Sequence, residues 1–340
     1  MKKKTLVLLM LIVFIMITIT ACKPDDPQKV ELPIETFDVV GEIKLLQWSP
    51  DGTRLAGGGH INQLAVWDVK SGKELFSYEF SDVWLSDICW TNDGSQLIAA
   101  FESGELVVWN SSTGEILHRI SENVEFWNKS KAYTAVACSP SNSLVATGQA
   151  GGNFLIWDSS NWQKKPIQVE THETMINNIV WTSDGAKVAE EHYGYLNLWQ
   201  LSESDYVVVQ EMHPVSGEKL AFSPDGMFLL QAGTLFRSIH KWNVVTEEQS
   251  HIFWWGLATM YVSGVNVGIG WDKTGQFFAT AEDNGRISLW ENATDERLYF
   301  LRTPRHITSM AWSPIENVLA MGGRHEIMLI DISDLVEKTH

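Results

Sequence analysis

A unit of about 40 to 48 residues recurs seven times along this chain, and self-similarity on that scale leaves few folds open. Its first marker is an aromatic residue or Cys followed by a turn: Trp48-Ser-Pro-Asp-Gly, Trp90-Thr-Asn-Asp-Gly, Cys138-Ser-Pro-Ser-Asn, Trp181-Thr-Ser-Asp-Gly, Phe222-Ser-Pro-Asp-Gly, Trp271-Asp-Lys-Thr-Gly and Trp312-Ser-Pro-Ile-Glu. The second marker is a Trp near the end of a later strand, at Trp67, Trp109, Trp157, Trp199, Trp242 and Trp290, with Ile330 in the seventh place. Successive second markers are 42, 48, 42, 43, 48 and 40 residues apart. That spacing belongs to the blades of a propeller.

Local signals within the first unit agree. Strand-forming stretches over 42–48, 54–56, 64–67 and 74–80 alternate with turns at Asp51-Gly52, Gly57-Gly58-Gly59 and Ser71-Gly72, which gives four short antiparallel strands. One such sheet would leave both faces wet, so neighbouring blades must stack, with the repeated Trp residues as wedges between them. A chain of 340 residues could form two domains, but the repeat predicts one ring. The last unit ends its third strand near Asp331 and lacks an outer strand. The segment 34–40 has strand-forming residues and no unit of its own, and is predicted to complete the seventh blade and close the ring.

Residues 42–331 resemble the WD40 family, most plainly at Val66-Trp67-Asp68 with Ser71-Gly72-Lys73 and at Val108-Trp109-Asn110 with Thr113-Gly114-Glu115. The resemblance implies an all-β, seven-bladed propeller acting as a non-catalytic platform for protein or peptide partners. TolB-type propellers also use Ser-Pro-Asp-Gly turns, but the Trp before the Ser-Gly or Thr-Gly turn favours WD40. Asp follows the second-marker Trp at Asp68 and Asp158, whereas Asn110, Gln200, Asn243 and Glu291 stand in other copies. No unit has the family's Gly-His pair before its first strand, and Gly59-His60 lies in a turn. The family's His, Ser/Thr, Asp and Trp relay is therefore not expected, and rigidity must rest more on apolar packing.

The chain begins with Lys2, Lys3 and Lys4, followed by twelve apolar residues from Leu6 to Ile17, the layout of a signal peptide. That core is short for a spanning helix. Ile19-Thr20-Ala21-Cys22 resembles the lipobox of bacterial lipoproteins, which implies cleavage before Cys22 and a diacylglycerol anchor on its thiol; an uncleaved N-terminal anchor is the alternative. Either way the domain is expected outside the cytoplasm, on the cell membrane or an outer membrane. Lys23 follows the cysteine where Asp would favour inner-membrane retention. The expected plan is a signal peptide over 1–21, a lipidated tether over 22–33 carrying Pro24, Pro27 and Pro33, and the propeller over 34–340.

Twenty-five basic and 42 acidic residues, a net charge of −17, argue against a nucleic-acid surface. Ten histidines show no pair at metal-ligand spacing, and neither a metal nor a cofactor is expected. No Gly-x-Ser-x-Gly elbow, phosphate loop or calcium loop is present. Asp283-Asn284-Gly285 is a hairpin turn, and the Asn-x-Ser/Thr triplets at Asn110, Asn128 and Asn292 are ordinary turn residues. Catalysis would need acids gathered from separate blades over the channel, as in a propeller hydrolase, and is the alternative to a binding role. Glu190, Glu191, His192, Tyr193, Gly194 and Tyr195 replace small apolar residues around a middle strand of the fourth blade. They are read as a solvated, slightly longer turn, with a polar site reaching the channel as the alternative. Cys89 and Cys138 fall at the ends of first strands in adjacent blades, Cys138 in a Trp position, and are read as buried free thiols rather than a bridge.

Tryptophan gives the sharper functional clue. Eleven of the 16 are repeat markers, leaving Trp84, Trp127, Trp162, Trp254 and Trp255. Trp162 is read as a turn or outer-strand packing residue. The stretch from a second marker to the next first marker is 22 to 24 residues in four cases but 29 after Trp109 and Trp242. Those two enlarged connections carry Phe126, Trp127 and Tyr133, and Trp254, Trp255 and Tyr261. In the WD40 arrangement such connections lie on the narrower face of the disc, where partners dock. Either the rings fold inward over their own insertions, or with Trp84 they wall a groove. The candidate contact set is Trp84, Phe126, Trp127, Tyr133, Trp254, Trp255 and Tyr261, for a protein or peptide, with a glycan as the second possibility.

Overall fold

The first-marker turn is a small hydrogen-bonded device repeated around the molecule. In the first blade the Ser49 hydroxyl donates to Asp51 Oδ1 at 2.5 Å and accepts the Arg54 backbone N–H at 3.0 Å, while Gly52 takes a left-handed φ of 69°. Thr91 with Asp93, Thr182 with Asp184 and Ser223 with Asp225 rebuild the same hydroxyl-to-carboxylate bond. The turn satisfies its own polar groups and reverses the chain between the first two strands of a blade. The structure is a computed structural model that describes residues 28–338, apart from 60–62, 82, 122–128, 170, 172–173, 193–194, 203–204, 213–218, 234–237, 247 and 254–263.

Six blades, over residues 45–79, 85–121, 133–169, 176–212, 219–253 and 266–302, each run as four antiparallel strands in chain order from the channel outward. The seventh supplies three strands of its own, Ser309–Trp312, Val318–Gly322 and Glu326–Asp331. Its outer strand is Glu35–Asp38, which pairs antiparallel with Glu326–Asp331, Asp38 opposite Glu326. The ring is thus closed by the N-terminal segment, as the repeat arithmetic predicts.

One feature of this segment is absent from the sequence-based expectation. Gln28–Lys29 runs parallel to Arg297–Arg302 as a fifth strand on the sixth blade. Val30, Leu32 and Ile34 then pack against the apolar core between blades six and seven, so residues 28–33 lie on the propeller wall. A short C-terminal helix, Ser333–Glu337, buries Leu335 and Val336 in the same core.

Seven apolar clusters fill the seven seams between blades. Both Trp markers contribute, since each blade is too thin to enclose them alone. Four of the five first-marker Trp residues also carry a polar link between blades, while the second-marker Trp157 and Trp290 donate within their own blades to Thr147 Oγ1 at 2.9 Å and Thr280 Oγ1 at 3.1 Å. The indole N–H of Trp48 donates to Ala311 O at 3.1 Å, Trp90 to Gln47 O at 3.4 Å, Trp181 to Ala137 O at 3.0 Å and Trp271 to Ala221 O at 3.1 Å. In each case the acceptor is the residue just before the first marker of the preceding blade.

That rule corrects the expectation for the cysteines. Cys138 occupies the first-marker position of blade three and Cys89 the position before the marker in blade two, the two places the indole bond joins elsewhere. They form a disulfide with a Cα–Cα distance of 5.6 Å. The sequence places both at the ends of first strands in adjacent blades, and those inner strands approach closely enough for the thiols to bridge rather than stay free. At the fifth blade the marker is Phe222, which has no N–H to donate.

The polar group of the fourth blade is neither a solvated turn nor a channel site. Glu190, Glu191 and His192 lie in the strand Lys187–His192 and are at most 1% exposed. Glu190 accepts from Asn197 Nδ2 at 2.8 Å and meets His192 Nδ1 at 2.8 Å, forming a buried polar network on the face that Val188 and Trp199 present to blade three. Tyr195 stacks on the His192 ring at 5.3 Å. By strand alternation Glu191 faces blade five with Ala189, opposite the face of that blade carrying Leu229, buried Gln231 and buried His240. Tyr193 and Gly194 lie outside the described residues.

Candidate functional site: the central channel and its mouth

The inner strands line a channel of about 820 Å³ that continues into a mouth of about 460 Å³ where those strands begin. Aligning the blades on the first marker shows why its walls change character along the axis. Four residues before the marker stand Lys44, Ser86, Thr134, Asn177, Val267 and Thr308; one residue further in stand Leu45, Asp87, Ala135, Asn178, Lys219, Gly268 and Ser309. The mouth is therefore ringed with polar side chains. Deeper in, Ile88, Val136, Ile179, Val180 and Ile269 make the walls more apolar, and the Cys89–Cys138 bridge lies among them.

Several of the polar residues hold blades together. Thr134 Oγ1 donates to Ile176 O at 2.6 Å, and Thr308 Oγ1 and Ser309 Oγ donate to Ile43 O at 2.6 and 2.8 Å. Asp87 accepts the backbone N–H of Val136 at 3.0 Å and of Ile88 at 2.9 Å, linking blades two and three. Enclosure pushes its carboxyl up to about 6, against the opposing pull of those two N–H groups and of the Lys219 ammonium. Lys219 itself makes no hydrogen bond or ion pair among the described residues, and the Asn177 amide is likewise uncommitted to protein. Lys44 lies 4.0 Å from Glu42 at the rim.

Apolar side chains surround this polar ring. Trp84 is 58% exposed, Met175 48% and Val265 40%, and all three line the mouth with Val83 and Leu85. Trp84 thus stands exposed at the edge of the channel mouth. Tyr133 requires a correction: it is the first residue of the strand Tyr133–Cys138, fully buried, and packs with Leu106 and Val136 between blades two and three. Its place before the strand's polar mouth position turns the ring into the seam, so it cannot touch a partner. Phe126, Trp127, Trp254, Trp255 and Tyr261, like Cys22, lie outside the described residues.

Trp162 is buried in the same seam, its ring 6.1 Å from Trp157 and its N–H donating to Gln96 Oε1 at 3.1 Å. The mouth residues Lys44, Asn177 and Lys219 were missed by motif reading, but aligning the seven copies on their first marker would have found them. Met175 and Val265 precede the inner strands and have no such signal. Among the described residues, no three His, Cys, Asp or Glu side chains gather as a metal site would require.

No family model matches the chain. Among solved structures, the β-propeller domain of Cps50 (Swd1) from Myceliophteria thermophila matches 88% of this chain and all of that domain, with a TM-score of 0.72 and 14% sequence identity. The fold is accordingly an all-β, seven-bladed propeller of the WD40 kind. Among curated proteins, telomerase protein component 1 of Rattus norvegicus is 26% identical over 163 residues, which is 48% of this chain. The match covers 6% of that much longer protein.

Proposed function

We propose that this chain is a lipid-anchored, extracytoplasmic binding platform that presents its channel mouth to a protein or peptide. The observation that carries the reading is the mouth itself. An exposed Trp84, Met175 and Val265 rim surrounds Lys219 and Asn177, whose side chains have no hydrogen-bonding partner among the described residues, the pattern of an apolar contact surface around a specific polar anchor. The channel's Asp87 carboxylate is engaged by two backbone N–H groups, which supports binding rather than acid catalysis.

The lipobox-like Ile19-Thr20-Ala21-Cys22 motif supports the anchor, and the Cys89–Cys138 disulfide suits an oxidising compartment. Membrane fractions should carry palmitate on the native chain and lose the label in Cys22→Ser; equal labelling would remove the anchor from the proposal. For binding, a photo-crosslinking residue at Met175 is compared with one at Leu75, which is exposed on the outer strand Glu74–Glu79. A partner crosslinked from position 175, absent from position 75 and lost in Trp84→Ala supports the mouth. Equal crosslinking from both positions places the contact elsewhere.

A further inference from the structure

We infer that the channel mouth takes a carboxylate carried on an apolar, otherwise uncharged peptide segment, with Lys219 as its anchor. The inference rests on the platform reading and adds the chemistry of the partner. Four observations combine. Lys219 lines both the channel and its mouth, has no hydrogen-bonding or ion-pairing partner among the described residues, and is only partly accessible. An ammonium in such a place is poorly solvated, so an incoming carboxylate gains more there than at an open surface lysine.

The neighbours fit the same ligand. Lys44 adds a second cation at the rim, and Asn177 an amide donor without a protein partner among the described residues. Asp87 opposes an anion only in part, because both its oxygens are held by backbone N–H groups. Among the described residues, the other carboxylates nearby are paired, Glu102 at the mouth with Lys129 at 3.6 Å and Glu42 at the rim with Lys44 at 4.0 Å.

Shape and charge set the rest. A channel walled by seven strand edges admits a side chain or a chain end, while the apolar residues beside the carboxylate meet Trp84, Met175 and Val265 outside. With 42 acidic residues against 25 basic ones, the protein as a whole repels a polyacidic partner, so a single carboxylate is favoured over an acidic run. The carboxylate can belong to a Glu or Asp side chain or to a C-terminus.

The test uses the full chain, purified in detergent and fluorescently labelled, on two arrays of random heptapeptides, one with free C-termini and one amidated. Bound amidated peptides enriched in Glu or Asp beside apolar residues identify a side chain; binding confined to the free-acid array identifies a chain end. Replacing Glu by Gln, or amidating the end, should weaken binding at least about tenfold. Lys219→Gln should bind the acid and its amide alike, with an unchanged thermal midpoint showing that the propeller is intact. Trp84→Ala should weaken all peptides without altering the preference for acid. Bound peptides lacking a carboxylate bias, or a bias that survives Lys219→Gln, overturn the carboxylate inference and leave the platform standing. Failure of the native protein to bind any peptide overturns both.

Discussion

The seam between blades two and three and the seam between blades four and five occupy equivalent places in the ring and are built in opposite ways. The first replaces the indole-to-carbonyl bond of its neighbours with the Cys89–Cys138 bridge and adds Asp87, which accepts the Val136 N–H across the seam. Trp162 completes it by donating to Gln96. The second has Phe222 at the marker and buries Glu191, Gln231 and His240 among apolar residues. Burying polar and ionisable groups costs free energy that an apolar pair would not. The cost at His240 is partly offset by its bond to Gln249 at 2.8 Å, and the seam between blades two and three is expected to hold more firmly than that between blades four and five.

The comparison can be broken most directly at the bridge. Cys89→Ser with Cys138→Ser should cost about 4 kcal/mol, the loop-closure value for a 49-residue separation, measured by urea unfolding. An unchanged urea midpoint would mean that the seam is held by packing alone. Next in size, Glu190→Ala should cost about 3 kcal/mol, because it removes the acceptor of the Asn197 amide and the carboxylate beside His192 Nδ1 in a buried seam. A loss below about 1 kcal/mol would show that water reaches the network.

The pH dependence gives a further contrast. The raised pKa of Asp87 means that the folded protein holds a proton between about pH 4 and 6 that the unfolded chain releases. Its contribution to stability therefore falls as pH rises through that window, by on the order of 3 kcal/mol. Asp87→Asn should flatten this slope in urea midpoints taken from pH 4.5 to 7. At lower pH the marker turns act with the opposite sign. The Ser95 N–H and Thr91 hydroxyl hold Asp93 below the usual carboxylate range, and the Thr182 hydroxyl does the same for Asp184, so their contribution is lost as pH falls below about 4.

The smallest effect sharpens the comparison from the weak side. Phe222→Trp supplies an N–H facing the Val180 carbonyl and should raise stability by about 1 kcal/mol. Its mirror, Trp181→Phe, should lower it by a similar amount. Thermal scans of the two variants that shifted in the same direction would refute the proposed role of the marker indole.

Fold and site differed in how plainly the sequence displayed them. The number of blades, the strand count within each and the closing role of residues 34–40 follow from marker spacing, because a repeated unit declares itself many times over. Contacts between units have no such redundancy. Cys89 and Cys138 could be placed on first strands of adjacent blades, but whether the two thiols come within bonding distance depends on how closely those strands approach. Glu190 and His192 looked like surface residues because ionisable groups rarely lie dry, yet each supplies the other's polar partner. Tyr133 was assigned to a surface insertion because connection length does not say where a strand begins. Trp84 was found as a Trp left over from the repeat, whereas Lys219 required comparing copies position by position.

The strand Glu35–Asp38 has a consequence in time as well as in space. Asp38 must wait through 288 residues of chain before Glu326 exists to receive it. Until then the first blade stands beside an empty place, and a chain emerging end first presents unpaired strand edges to its surroundings. The contact that closes the ring thus joins an early strand to the last blade, a nonlocal pairing of the kind that slows folding. A product truncated before residue 326, however many blades it contains, would lack the partner of this strand and leave the ring open.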